Sequence, residues 1–235
     1  RDPKFKFVEM DVCDSMRFKV DVVIHLASRA SPMEFEWYPI QILKANTIGT
    51  LSALETARRS RARFLYASSS EVYGDPEIIP TPESYFGNVD SLGVRGCYEE
   101  GKRCGEAYVK AYERAYGLDV RIARIFNMFG PRMRSDGIYG RVIPRFVSQA
   151  LSNQDITVFG NGTQTRSFCY VVDGVEALLK LALEEELQGE VLNIGSDKEM
   201  RIIDLARLVK KLTGSKSRIV FTPLPPGDPR RRCPD

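Results

Sequence analysis

The chain has 235 residues, 43% of them hydrophobic and 28% charged, which is enough apolar surface for one domain, or for one large and one small. Its 34 basic and 31 acidic residues are intermixed and leave a net charge of +3, which argues against a dedicated nucleic-acid surface. Five cysteines, Cys13, Cys97, Cys104, Cys169 and Cys233, show no CxxC spacing and no clustering with the single histidine, so the sequence suggests neither a zinc site nor a disulfide framework.

No apolar run reaches the ~18 residues of a membrane span, and the first eleven residues do not read as a signal peptide. Reduced cysteines fit a cytoplasmic setting. The first residue is Arg1 rather than Met, so a targeting or anchoring segment outside these residues stays open.

In chain order, apolar runs predict strands over 5–8, 20–26, 63–67 and 120–126, with helices over 40–59 and 98–116 between them. Strands apolar on both faces that alternate with helices imply a parallel sheet covered by helices, an α/β fold. In the first helix Leu43, Ile48, Leu51 and Leu54 fall near helical spacing. After Phe129-Gly130-Pro131-Arg132 shorter elements follow, separated by glycine and proline. Helices are expected over 142–151, 171–183 and 203–212, and strands over 156–159 and 191–194. That texture predicts a smaller second lobe, with a division into residues 1–131 and 132–235 and some return of the latter to the first domain. Gly160-Asn161-Gly162 reads as a turn in that lobe. Ligands of open α/β sheets bind beyond the carboxyl ends of the strands, where Ala27, Ser69 and Asn127 fall.

Tyr98 and Lys102 stand one helical turn apart and share a face. A phenol titrates near ~10, and lowering that by about three units needs roughly 4 kcal/mol. An ammonium about 5 Å away supplies roughly 3 kcal/mol at an effective dielectric of ~20. A cationic cofactor ring or a hydroxyl donor held against the phenolate would supply the remainder. Ser68-Ser69-Ser70-Glu71-Val72-Tyr73-Gly74, at the end of the predicted strand 63–67, offers such a hydroxyl. Two basic groups, Arg230-Arg231-Arg232 and Arg132 with Arg134, read as solvated surface on charge alone.

Taken together, His25-Leu26-Ala27-Ser28, Asn46-Thr47-Ile48-Gly49-Thr50, residues 68–74, Tyr98 with Lys102, Arg124-Ile125-Phe126-Asn127, Gly130-Pro131-Arg132, Gln164-Thr165-Arg166-Ser167-Phe168 and Gly227-Asp228-Pro229 with Arg232 form an ordered series. The series resembles the extended short-chain dehydrogenase/reductases of the NAD-dependent sugar epimerase/dehydratase type, nearly end to end. Within that family the stretches 69–77, 98–103 and 123–133 are most similar to the UDP-glucuronate decarboxylases, which make UDP-xylose.

The resemblance implies a Rossmann-like doubly wound parallel sheet, its N-terminal portion missing, with a smaller α/β substrate-binding lobe. It implies NAD as cofactor and a nucleotide sugar as substrate. It assigns Tyr98 as base, Lys102 as the cation beside it that also holds the nicotinamide ribose, and Ser69 as the hydroxyl at Tyr98. Glu71 marks the subfamily, because dehydratases carry an adjacent Asp-Glu pair where this chain has Ser70-Glu71. Glu71 and Arg232 are the candidates for handling the carboxylate and the protonation step, with charge recognition the first role of the arginine. Asn127, Arg166 and Arg232 match substrate-binding positions, and Asp11, Val12, Leu26, Ala27 and Ser28 match cofactor-binding ones. His25 is given no catalytic part.

The implied reaction oxidises the sugar's 4-hydroxyl to a ketone, loses carbon dioxide from the β-keto acid and reduces the ketone again. A nucleotide-sugar 4-epimerase or 4,6-dehydratase is the alternative, and a non-catalytic nucleotide-sugar-binding protein is the reading of a different class. Family members commonly dimerise through a four-helix bundle, which makes the helices over 40–59 and 98–116 the expected homodimer contact. Two departures stand out. The glycine-rich turn that holds the cofactor's pyrophosphate is absent from these 235 residues, so the chain by itself is expected to bind NAD weakly and to present an exposed sheet edge. Residues 133–141 also run slightly longer than the decarboxylase pattern, at the border of the substrate cleft.

Overall fold

A computed structural model describes residues 2–135, 141–224 and 231–235. The first half runs β1 (Val22–His25), α1 (Pro32–Trp37), α2 (Pro39–Ser60), β2 (Arg63–Ser69), a 3-10 turn (Ser70–Tyr73), α3 (Gly96–Tyr116) and β3 (Val120–Ile125). The second runs β4 (Met128–Phe129), α4 (Val142–Leu151), β5 (Ile156–Phe159), β6 (Thr165–Ser167), β7 (Cys169–Tyr170), α5 (Val171–Leu183) and β8 (Val191–Ile194). It ends with β9 (Glu199–Arg201), α6 (Ile202–Thr213), β10 (Ile219–Thr222) and β11 (Arg231–Arg232).

β1, β2, β3 and β8 form one sheet in that order, with every pairing parallel. Side chains of successive strand residues point to opposite faces, and the core follows that period. Phe64, Tyr66, Val120 and Ile122 pack with Ala53, Leu54 and Ala57 of α2 and Val109 of α3. Leu65 and Ala123, one residue out of phase, pack instead with Leu181 and Ala182 of α5. The sheet is therefore covered on both faces, as a doubly wound α/β fold requires. α3 comes close to the sheet because Gly105 lies against Tyr66: a Cβ there would sit 2.1 Å from the phenol oxygen. It ends at Gly117, whose left-handed φ of 63° closes the last turn.

A second core joins Phe146 and Ala150 of α4, Ile156 and Val158 of β5, and Leu205, Ala206 and Val209 of α6. The small three-stranded sheet β11-β6-β9 adjoins it. Gly160 and Gly162 adopt positive φ in the expected turn.

The strand expected over 5–8 is not formed, and Phe5, Phe7 and Val8 are exposed. Its apolar composition was a valid signal, but backbone donors and acceptors need a neighbouring ladder, and the described residues place none beside it. The short strands β4, β6, β7, β9, β10 and β11 went unpredicted, because two to four residues carry too little periodicity to read. All five cysteines are free, and no group of acidic, cysteine or histidine residues able to hold a metal occurs among the described residues. No helix among them is long and apolar enough to cross a membrane.

Candidate active site

Four elements bring the site together at the carboxyl edge of the sheet. Ser69 ends β2, Glu71 lies in the 3-10 turn that follows, Tyr98 and Lys102 occupy the first turns of α3, and Arg232 arrives on β11. Ser69 caps the 3-10 turn by accepting the backbone N–H of Glu71 at 3.3 Å. Gly101 lets α3 pack closely on α2, because a Cβ there would meet Asn46 at 3.1 Å.

Tyr98 is 5% exposed and Lys102 3%. The Tyr98 ring stacks on Phe35 of α1, with centroids 5.1 Å apart at 15°. The Lys102 ammonium donates to the carbonyl of Ala67 at 2.7 Å and lies 5.9 Å from the centre of the Tyr98 ring. Burial pushes the Tyr98 phenol up to about 12, although the Ser69 hydroxyl, hydrogen-bonded to it, pulls the other way. Burial also brings Lys102 down to about 7, against the attraction of Glu106. Desolvation therefore disfavours the charged form of each group, against the expectation from sequence that a lysine ammonium draws the phenol down.

Glu71 is clamped between two guanidinium groups. Arg232 binds both its carboxylate oxygens, Nη1 to Oε1 and Nη2 to Oε2 at 3.0 Å, and also donates to the carbonyl of Gly74 at 3.3 Å. Arg95 donates from Nη2 to Oε2 of Glu71 and from Nε to Glu99 at 3.2 Å. Burial works to raise the Glu71 pKa, but Arg232 and then Arg95 overcome it and hold the carboxyl well below its ordinary range. Glu99 goes the opposite way, up to about 7, through burial and the neighbouring charge of Glu71. Of the basic run, Arg231 pairs with Glu199 at the surface and Arg232 turns inward, which corrects its reading as solvated surface. Alternation along β11 separates the two.

The other two substrate-binding candidates, Asn127 and Arg166, lie on neighbouring segments. Asn127, between β3 and β4, donates from Nδ2 to the Ser167 carbonyl at 3.4 Å. Arg166 pairs in register with Arg232 across β6 and β11, and its Nη1 reaches the carbonyl of Thr165 at 2.8 Å. Of the cofactor-binding candidates, Leu26, Ala27 and Ser28 follow β1 directly and are accessible. Asp11 and Val12 stand elsewhere: Asp11 accepts the Cys13 backbone N–H at 2.8 Å, and Val12 packs against Gly49 of α2. No hydrogen bond or ion pair among the described residues joins those two to Tyr98 or Lys102. Gly227-Asp228-Pro229 and Arg230 lie outside the described residues, as does the middle of the 133–141 stretch. His25 is a buried core histidine, its Nε2 3.1 Å from the Thr50 hydroxyl, with a pKa lowered to about 4 by burial.

Sequence reasoning missed Arg95, Glu99 and Phe35. Arg95 and Glu99 carried a legible signal, an opposite-charge pair four residues apart beside the tyrosine. Phe35 carried none, since only folding sets it against the phenol.

Residues 1–195 match the NAD dependent epimerase/dehydratase family. The chain is 47% identical over 233 residues to UDP-glucuronic acid decarboxylase 5 of Arabidopsis thaliana, covering 99% of this chain and 67% of that one. It is also 47% identical over 231 residues to UDP-glucuronic acid decarboxylase 1 of Xenopus tropicalis, covering 98% of this chain but only 54% of the relative. Among solved structures it resembles the UDP-glucose 4-epimerase of Thermotoga maritima with UDP-glucose, at a TM-score of 0.84 and 32% identity, over 92% of this chain and 68% of that one. A dTDP-glucose 4,6-dehydratase of Streptomyces venezuelae with NAD bound gives a TM-score of 0.85 at 26% identity, over 100% and 72% of the two chains.

The residues present fit the nicotinamide-ribose half of NAD. Lys102 has three donors and one acceptor among the described residues, so its ammonium can take further hydroxyl partners. Leu26 offers an open apolar surface just beyond β1.

Proposed function

Since the chain belongs to the NAD dependent epimerase/dehydratase family, we propose that it is the catalytic part of an enzyme that decarboxylates a nucleotide-linked uronic acid, UDP-glucuronate, to UDP-xylose. The observation that carries this reading is the Glu71 carboxylate locked between Arg232 and Arg95 next to the Ser69, Tyr98 and Lys102 group. Redox chemistry at a sugar hydroxyl needs only the latter three. The doubled arginine beside them suits a substrate that brings its own carboxylate.

When bound, NAD supplies the reversible oxidation of the sugar's 4-carbon, and Lys102 with residues 26–28 would hold its nicotinamide ribose. Tyr98 receives the proton of the 4-hydroxyl at its phenolic oxygen, with Ser69 orienting that oxygen and a protonated Lys102 favouring the phenolate. With a ketone at the 4-carbon, the carboxylate is β to a carbonyl and leaves as carbon dioxide, its bonding electrons passing into an enolate. The enolate then takes a proton at the ring carbon that lost the carboxyl. Tyr98 returns its proton to the 4-oxygen as the 4-carbon regains the hydride that bound NAD would hold, which closes the cycle. Glu71, held anionic, and Arg232 keep the charge around the departing carboxylate fixed. Asn127 and Arg166 would grip the nucleotide diphosphate, Arg166 through charge-assisted hydrogen bonds.

In this reading residues 1–131 form the cofactor domain and 132–235 mainly the substrate lobe, with α5 and β8 returning to the sheet. The enzyme is a homodimer in which α2 and α3 pack against their copies as four helices, supported by the exposed Ile40 and Ile48 on α2 and Tyr116 on α3. Incubating full-length protein with NAD and UDP-glucuronate should release carbon dioxide and form UDP-xylose in equal amounts. Clean conversion to UDP-galacturonate without carbon dioxide would replace this reading by 4-epimerisation.

A further inference from the structure

The two guanidinium groups on Glu71 are not equivalent. Arg232 has both terminal nitrogens engaged by Glu71, one of them also by the Gly74 carbonyl, and its side chain is 6% exposed. Arg95 uses Nη2 for Glu71 and Nε for Glu99, whereas its Nη1 has no hydrogen-bond partner among the described residues. Its side chain is 21% exposed, so that free edge reaches solvent. A guanidinium has five N–H donors in a rigid fork matched to a carboxylate, and here half of one fork is open.

The position of Arg95 points the same way. It precedes α3 directly, where the helix dipole favours negative charge. Its guanidinium lies 5.8 Å from the centre of the Phe35 ring, and Phe35 is the ring stacked on Tyr98. The open edge of Arg95 is thereby tied through one aromatic ring to the proposed base.

We propose that Arg95 is the residue that recognises the substrate's carboxylate, through its free Nη1 edge, while Arg232 is a positioning residue that holds Glu71 from beneath. The assignment rests on the uronate reading above. A third carboxylate arriving at two guanidinium groups adds negative charge to the cluster and favours protonation of Glu99, which shares Arg95 and whose pKa burial already raises.

UDP-glucuronate and UDP-glucose differ only in a carboxylate against a hydroxymethyl group, so their binding separates recognition from folding. In full-length enzyme with NAD, measured by calorimetry, Arg95→Gln should weaken UDP-glucuronate at least tenfold and leave UDP-glucose within twofold. Arg95→Lys should retain part of the preference, because the charge remains but the fork is lost. Arg232→Gln should lower turnover without a carboxylate-selective change in affinity. Equal weakening of both ligands by Arg95→Gln would overturn the proposal, as would a selective loss that appears in Arg232→Gln instead. Should Arg95→Gln depress the unfolding temperature markedly, Arg95→Lys decides by the same ratio of affinities. Wild-type enzyme that binds UDP-glucuronate yet releases no carbon dioxide would overturn the decarboxylase reading alone, since the affinity ratio still tests Arg95.

Discussion

Lys102 shows at the level of one residue how function and stability pull apart. Its folded pKa of about 7 lies below the ~10.4 of an unfolded lysine. Between those values the unfolded chain binds more protons than the folded one, so this group makes stability rise with pH from about 7 toward ~10.4. Below about 7 the full cost of burying the charge stands, on the order of 5 kcal/mol. Lys102→Met should therefore melt higher than wild type at pH 6, with the margin shrinking toward pH 10 as followed by calorimetric unfolding, and should have lost turnover. A variant less stable than wild type at pH 6 would show that the hydrogen bond to Ala67 outweighs desolvation. Tyr98→Phe removes the proposed proton acceptor of the 4-hydroxyl and leaves the stack on Phe35 intact. Carbon dioxide release should fall by roughly 10²–10⁴-fold with the unfolding temperature nearly unchanged, and turnover within twofold of wild type would rule Tyr98 out as the base.

At the level of elements, α3 serves as both core helix and carrier of the site. Val109 faces the sheet core, Tyr98 and Lys102 face the site, and Gly101 and Gly105 set how near the helix comes to α2 and β2. Gly105→Ala would force the Tyr66 ring or the helix to move, at a cost of about 1–3 kcal/mol. Urea unfolding should show that loss, and because Lys102 moves with the helix, turnover should drop as well. An unchanged urea midpoint would mean that the helix yields freely at this point. This part of the fold was readable in advance. The helices over 40–59 and 98–116 occur as α2 and α3 with bounds shifted by one or two residues, and those over 142–151 and 171–183 occur as α4 and α5. Long amphipathic periods survive any reasonable packing, whereas the run over 5–8 depended on a neighbour its own residues could not supply.

Across the whole molecule, the ion pair between Glu71 and Arg232 joins positions 161 residues apart and ties the small β11-β6-β9 sheet to the edge of the main one. A second link, Arg124 with Glu106 at 2.8 Å and with the Tyr73 hydroxyl at 3.0 Å, fixes β3 to α3 and to the 3-10 turn. If the proposed dimer forms through α2 and α3, Ile48→Glu should convert it to monomer in light scattering, while a protein already monomeric before substitution would reject it. The order of motifs in the chain was sufficient to name the family and the cofactor, because each motif is local and its chemistry is carried by residue type. Only tertiary structure set the burial of Ser69, Glu71, Tyr98, Lys102 and Arg232 and brought Arg95, Glu99 and Phe35 beside them. Desolvation, and the partnering of Glu71 by arginines from two distant segments, depend on what the fold brings near in space, and no spacing along the chain encodes that proximity.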